Sequence, residues 1–218
     1  MSTPMSDYPE EIIGVLLAGG QSRRMGGGDK CLLELAGKPL LSHVVEQLKP
    51  QTSSLVLNAN GDLDRFSQFK LPMVADPVED FAGPLAGVLA GFTWAKENAP
   101  DARWIVTAAT DTPFFPADLV ARLIESTKGR YPAIALAQSN GRMHPVFGLW
   151  PVELADDLRR ALNSGTRKIL HWTGQNTTTT AEFQLNQFGA TPFDPFFNVN
   201  SPDDLSQAEA VIAETITT

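Results

Sequence analysis

Three groups of residues in the 218-residue sequence have the composition to handle phosphate or nucleoside chemistry. The first is the run Gly19-Gly20-Gln21-Ser22-Arg23-Arg24-Met25-Gly26-Gly27-Gly28-Asp29-Lys30. Its glycines let a ligand approach the backbone closely and let successive N–H groups turn toward it. Arg23, Arg24 and Lys30 add positive charge to the same stretch. The run reads as a polyphosphate cradle or, without a ligand, as a solvated glycine-rich connection. The second is Asp111, in Thr110-Asp111-Thr112-Pro113. A carboxylate there suits Mg²⁺, a hard cation held by one or two carboxylates plus phosphate oxygens. It also suits a turn cap ahead of Pro113. The third pairs Asn58 with Asp76, whose side chains can hydrogen-bond a base or ribose, or shape the turns before Gly61 and Pro77.

Several familiar devices are excluded. Gly37-Lys38 is followed by Pro39, and position 32 is Leu where a Walker loop needs its first glycine. The glycine spacing after Leu17 does not match a dinucleotide fingerprint. The single cysteine, Cys31, cannot form an internal disulfide, and its apolar neighbours mark it as structural. His43, His144 and His171 form no pair at metal-ligand spacing. His144, ahead of Pro145, reads as a loop residue. No Ser–His–Asp arrangement is legible, and Trp94, Trp104, Trp150 and Trp172 read as packing residues.

The phosphate-type groups must be positioned by something, and the hydrophobic pattern supplies it. Ile12 to Leu17 is a short apolar run, as expected of a strand covered on both faces. Leu55–Leu57, 72–75, 103–109, 133–137 and 146–150 read as further strands. Helical stripes lie at Leu41, Val44, Val45 and Leu48, then at Leu85, Val88, Leu89 and Phe92. A helix starting at Pro116 carries Leu119, Val120, Leu123 and Ile124, and another carries Leu154, Leu158 and Leu162. Ser201-Pro202-Asp203-Asp204 combines an N-cap, Pro at N1 and an acid at N3. Strands alternating with helices predict an α/β fold with a mainly parallel sheet and helices on both faces. Ligands of such sheets bind outside the carboxyl ends of the strands, where Asn58, Asp76 and Asp111 fall. One domain over 1–218, with a core from about 12 to 212, suits the length. The segment 174–195 is the least readable.

Composition narrows the partners. A net charge of −8 and a pI near 4.8 argue against nucleic-acid or anionic-membrane surfaces. An anionic ligand then requires locally concentrated positive charge. The polar, acidic start of the chain lacks the pattern of a secretory signal, and no apolar run approaches the roughly 18 residues of a span. The expectation is a cytoplasmic protein.

Leu17-Ala18-Gly19-Gly20-Gln21-Ser22-Arg23-Arg24-Met25-Gly26, followed by Asp29-Lys30, resembles the signature loop of the molybdenum cofactor guanylyltransferases, the MobA family. Asn58-Ala59-Asn60, Gly83-Pro84-Leu85-Ala86-Gly87, Thr110-Asp111-Thr112-Pro113 and Asn198-Val199-Asn200 resemble later family blocks in family order. The resemblance implies a Rossmann-like nucleotidyltransferase fold that uses GTP and Mg²⁺. It implies transfer of GMP to the terminal phosphate of molybdenum-loaded molybdopterin, with hand-over of the product to a molybdoenzyme or its chaperone. By the same resemblance, Leu17, Ala18 and Gly19, with Gly20 beside them, contact nucleotide and Lys30 holds its phosphates; the charge each would bring to the α-phosphate makes Lys30, Asp111 with its metal, and Arg23 the expected catalytic residues. Asn58 and Asp76 bind the nucleoside, Asp111 carries Mg²⁺, and Arg24, Asn198 and Asn200 line the active-site rim. The alternatives are a cytidylyltransferase on the same acceptor, a sugar-phosphate nucleotidyltransferase, and a non-catalytic nucleotide-binding partner protein. Related cytidylyltransferases typically carry LAAG where residues 17–20 read LAGG.

Overall fold

The computed structural model of the chain describes residues 11–18, 29–77, 83–188 and 191–217. The elements run β1 (Ile12–Leu17), the short strands β2 (Glu34–Leu35) and β3 (Lys38–Pro39), α1 (Leu40–Leu48), β4 (Ser54–Asn58) and β5 (Met73–Val74). Then follow α2 (Pro84–Asn98), β6 (Trp104–Ala109), α3 (Leu119–Thr127), β7 (Ile134–Ser139) and β8 (Arg142–Pro151). The last elements are α4 (Ala155–Asn163), α5 (Ile169–Thr173), β9 (Thr178–Phe183), β10 (Asn186–Phe188), β11 (Thr191–Phe193) and α6 (Pro202–Thr217).

Seven strands form one sheet in the order β5-β4-β1-β6-β8-β7-β9. β8 runs antiparallel to both its neighbours, and every other adjacent pair is parallel. Strand alternation divides the core into two layers. Ile12 and Leu16 of β1 face α1 and α3, packing with Leu41, Val44, Leu48, Leu119 and Leu123. Ile13 and Val15 face the opposite layer, with Leu85, Leu89 and Phe92 of α2, Leu158 and Leu162 of α4, and Trp172 of α5. Truncating a fully buried residue such as Leu16 to Ala is expected to cost about 2–5 kcal/mol. α6 packs through Ala208 on Leu35, Leu40 and Val199 in a smaller third cluster.

The α/β expectation holds, with three local differences. The helix after Pro116 starts at Leu119, because Pro116 sits in a turn whose carbonyl accepts from the Leu119 amide. His144 lies inside β8, not in a loop, and β8 is longer than the apolar run at 146–150. The unread segment supplies β9, which extends the sheet beside β7, and the β10–β11 hairpin. Trp104, Trp150 and Trp172 are core residues; Trp150 Nε1 donates to the buried Thr107 hydroxyl at 2.9 Å. No helix among the described residues is long and apolar enough to cross a membrane.

Candidate active site

Because β4, β1 and β6 are parallel neighbours, their carboxyl ends share one edge of the sheet. Leu17 stands opposite both Asn58 and Ala109 there. The Ala18 amide donates to the Asn58 carbonyl at 2.9 Å, and the Thr110 hydroxyl donates to the Leu17 carbonyl at 3.1 Å. Leu17, Ala18, Asn58 and the Thr110-Asp111 turn are thereby brought together by the sheet register alone.

At this edge Lys30 is only 7% exposed, and its ammonium meets three oxygens. Nζ lies 2.5 Å from Asp111 Oδ2, 3.0 Å from Asn198 Oδ1 and 2.5 Å from Asn200 Oδ1. A buried ammonium is tolerated only with such compensation. Val199 is fully buried between the two exposed asparagines, and its amide donates to the Asp111 carbonyl at 2.9 Å. That alternation aims both asparagine side chains at Lys30. The start of α6 holds the segment: the Asp204 amide donates to Ser201 Oγ at 3.2 Å, and the Asn200 amide donates to Asp204 Oδ2 at 2.8 Å. Burial pushes the Asp204 carboxyl up, but the Asn200 amide and the Ser201 hydroxyl and amide outweigh it and hold the group below its ordinary range.

A second constellation sits beside the first. Asn58 Nδ2 donates to Asp76 Oδ1 at 2.9 Å and Asn60 Nδ2 donates to Asp76 Oδ2 at 2.7 Å. The Asp76 amide returns a bond to Asn60 Oδ1 at 2.8 Å. Gly87 of α2 touches this bracket: a Cβ there would fall 2.4 Å from Asn58 Oδ1 and 2.6 Å from Leu17 Cδ2. Gly91, one turn on, meets Val15 in the same way. Gly87 and Gly91 therefore let α2 lie close against the sheet, Gly87 against β1 and β4 and Gly91 against β1 and β6.

Sequence reasoning did not find Arg65. Its guanidinium pairs with both Asp29 carboxylate oxygens and donates to the Asn60 carbonyl at 2.9 Å. It ties the end of the glycine-rich loop to the Asn58–Asp76 bracket, and a lone arginine in a polar stretch gave no signal of this. Nor was the Ser139–His144–Asp194 cluster foreseen. Ser139 Oγ lies 2.7 Å from His144 Nε2 and 2.8 Å from Asp194 Oδ1. It is no hydrolytic triad: Ser139 is fully buried, and Asp194 approaches the same Nε2 edge of the ring, at 3.8 Å. Burial lowers the His144 pKa, against the pull of Asp194. Cys31 is structural as expected. Burial, then the Asp29 carboxylate, push its thiol up to about 11.

Gly19, Gly20, Arg23 and Arg24 lie outside the described residues. Among the described residues, no group of three or more His, Cys, Asp or Glu side chains could hold a metal ion. A magnesium ion shared with phosphate needs fewer protein ligands than that. Asp111, with the amide oxygens of Asn198 and Asn200 next to it, is a set of hard oxygen donors of the kind such an ion takes; in this structure the same three oxygens hold the Lys30 ammonium.

Residues 14–180, most of the chain, match the family model described as the MobA-like NTP transferase domain. The chain belongs to that family. This MobA-like chain is 49% identical over 209 residues to the molybdenum cofactor guanylyltransferase of Rhodopseudomonas palustris (strain BisB5), spanning 95% of this chain and 97% of the relative. It is 48% identical over 203 residues to the molybdenum cofactor guanylyltransferase of Bradyrhizobium sp. (strain ORS 278), spanning 93% of each. The crystal structure of molybdopterin-guanine dinucleotide biosynthesis protein A from Archaeoglobus fulgidus superposes with a TM-score of 0.71 at 24% identity, covering 93% of this chain and 99% of that one. The Rossmann-like nucleotidyltransferase fold implied by the MobA resemblance is the fold observed.

Proposed function

We propose that the chain transfers GMP from GTP to the terminal phosphate of molybdenum-loaded molybdopterin. An oxygen of the acceptor phosphate attacks the α-phosphorus of GTP, the bond from that phosphorus to the β-phosphate oxygen breaks, and pyrophosphate leaves with the electron pair. The product is the guanine dinucleotide form of the molybdenum cofactor. The observation that carries this reading is the convergence of Asp111, Asn198 and Asn200 on Lys30, beside the Asn58–Asp76 bracket. The relatives that match this chain nearly end to end at 48–49% identity carry the name of that activity.

The acceptor phosphate is already an anionic nucleophile at neutral pH, so no residue has to activate it. The obstacle is repulsion between two anions, and positioning with electrostatic stabilisation is the remedy. Lys30 is suited to it because three oxygens position its ammonium at the sheet edge, and a phosphate oxygen would take one of its three hydrogens in exchange for one of them. Asn58 and Asp76 are assigned to the nucleoside, and Leu17, Ala18, Gly19 and Gly20 to contact with the nucleotide. Arg23 is assigned to its phosphates and Arg24 to the rim. Mg²⁺, when bound at Asp111, would supply charge neutralisation on the triphosphate.

One nucleotide-binding domain accounts for the whole chain in this reading, acting in the cytoplasm and passing its product to a molybdoenzyme or its chaperone. Pyrophosphate release measured with each nucleoside triphosphate, with and without molybdenum-loaded molybdopterin, tests it. Release that needs both GTP and the acceptor supports the proposal. Preference for CTP or a sugar phosphate supports the transferase alternatives, and binding without turnover supports a partner protein.

A further inference from the structure

Strand β8 leaves β6 before either strand ends. Their ladder runs from the Trp104–Pro151 pair to the Thr107–Gly148 pair and stops, although β6 continues to Ala109 and β8 begins at Arg142. On its other side, pairing with β7 jumps from Leu136–Gly148 to Ala137–His144. Pro145, Val146 and Phe147 therefore bulge out of the ladder. Pro145 brings no N–H to it, and bulges of this kind re-aim side chains beside active sites. Where the strands part, a cavity of about 180 Å³ opens, lined by the bulge and by Thr112, Arg142, His144, Phe196 and Asn198.

Two of these residues join the cavity to the charged cage. Thr112 Oγ1 lies 3.3 Å from Asp111 Oδ1, and Asn198 Oδ1 accepts from Lys30. The sheet order β4-β1-β6-β8 puts the Asn58–Asp76 bracket on one side of Asp111 and the cavity on the other. A group seated in it would reach the cage from the side opposite the nucleoside. The volume is below the roughly 300–1,000 Å³ of pockets that enclose a drug-sized ligand, so it takes one fused ring rather than a nucleotide.

The polar character of the cavity is set by one hydrogen atom. Ser139 has a single hydroxyl hydrogen, and Oγ lies within bonding distance of both the Asp194 carboxylate and His144 Nε2. The carboxylate can only accept, so it takes that hydrogen, and Ser139 Oγ must accept from Nε2–H. Burial favours the neutral imidazole, and in that form, with Nε2 protonated toward Ser139 Oγ, Nδ1 carries the lone pair. No hydrogen bond among the described residues reaches Nδ1. No buried side-chain polar atom there lacks a partner, so Nδ1 is not sealed. Phe196 stacks on the ring at 4.5 Å and fixes its plane.

We propose that this cavity is the acceptor subsite: it takes the fused, N–H-bearing heterocycle of the acceptor, with His144 Nδ1 accepting from that N–H edge and Arg142 meeting acceptor anionic groups at the rim. The inference rests on the GMP-transfer reading above. It differs from that reading in assigning residues outside the nucleotide site and the Lys30 cage.

The test titrates GTP and molybdenum-loaded molybdopterin separately in GMP transfer, and measures binding of molybdopterin and of GTP to the intact protein by calorimetry. His144→Leu is expected to raise the acceptor KM and Kd about tenfold, the loss of one hydrogen bond, with GTP values unchanged. His144→Asn, whose amide oxygen can stand in for Nδ1, should recover most of that loss, and Ser139→Ala should fall between. Arg142→Gln, at an exposed position outside the buried network, should raise the acceptor KM several-fold and serves if the His144 variants do not fold. A rise in the GTP KM instead, or no change in either substrate, overturns the subsite. Wild-type protein that binds molybdopterin in a His144-dependent way but transfers no GMP overturns the function and leaves the subsite standing. Wild-type protein that neither binds nor uses molybdopterin overturns both.

Discussion

Lys30 and Asp111, 81 residues apart in sequence, meet at 2.5 Å on the carboxyl edge of the sheet with both side chains largely withdrawn from water. Neither charge is tolerated there alone. Lys30→Ala and Asp111→Ala should each lower GMP transfer by at least 10²–10³-fold, the scale for removing a preorganised charge from a transferring phosphoryl group. Each should also cost stability, up to about 3 kcal/mol, by leaving its partner unpaired. Steady-state rates and thermal melts of the variants check both effects. Wild-type rates in either variant would remove that residue from the proposed machinery.

Gly87 and Gly91 make a paired test of why α2 lies so close to the sheet. Gly87→Ala drives a methyl into Asn58 and Leu17, whereas Gly91→Ala drives one into Val15. Both should lose about 1–3 kcal/mol from overpacking. Only Gly87→Ala should also raise the KM for GTP, because only it moves the Asn58–Asp76 bracket. Equal effects on GTP affinity would mean that the bracket does not read the nucleoside.

How far these relationships are visible without coordinates depends on the residue. Apolar runs such as Ile12–Leu17 and 103–109 specify buried parallel strands, because strands covered on both faces have no polar face to show. The charged loop and Asp111 stand out against an acidic chain. The convergence of Asn198 and Asn200 on Lys30 has no local signal, since it depends on Val199 being buried 168–170 residues away from Lys30 in sequence. Arg65 and the Ser139–His144–Asp194 cluster are invisible for the same reason. Thr178–Phe183 was obscured by its run of threonines, which reads as low complexity although β-branched threonine suits an edge strand.

The Asn200 side chain depends on the cap of α6. Ser201→Ala should destabilise the fold by about 1 kcal/mol, the usual cost of a lost N-cap, and slow turnover by loosening Asn200. Asp204 is held below its ordinary value of 3.8 when folded. Its contribution to stability is present above that value and is lost as pH falls below it. Melts between pH 3 and 5 should show a shallower acid decline for Asp204→Asn than for the wild type.

His144 gives a second pH dependence. Burial holds its folded pKa below the ordinary 6.5, so the unfolded chain takes up a proton first as the solution is acidified. Stability should fall as pH drops below 6.5, and His144→Asn should remove that part of the slope. Identical pH profiles for the two proteins would mean that His144 titrates alike in both states.

Cys31 should be unreactive in the folded protein. With its thiol raised from 9.0 to about 11, little thiolate exists at pH 8. Alkylation by iodoacetamide at that pH should await unfolding by denaturant. Rapid modification of native protein would contradict the buried position.

GMP transfer is measured as pyrophosphate release and product formation with GTP, CTP, ATP and UTP in turn, each with and without molybdenum-loaded molybdopterin, in the presence of Mg²⁺. Release is expected only with GTP plus acceptor, stoichiometric with a guanine dinucleotide product, and is expected to be lost in Lys30→Ala. Equal or greater release with CTP, or release from GTP that needs no acceptor, would contradict GMP transfer to that acceptor.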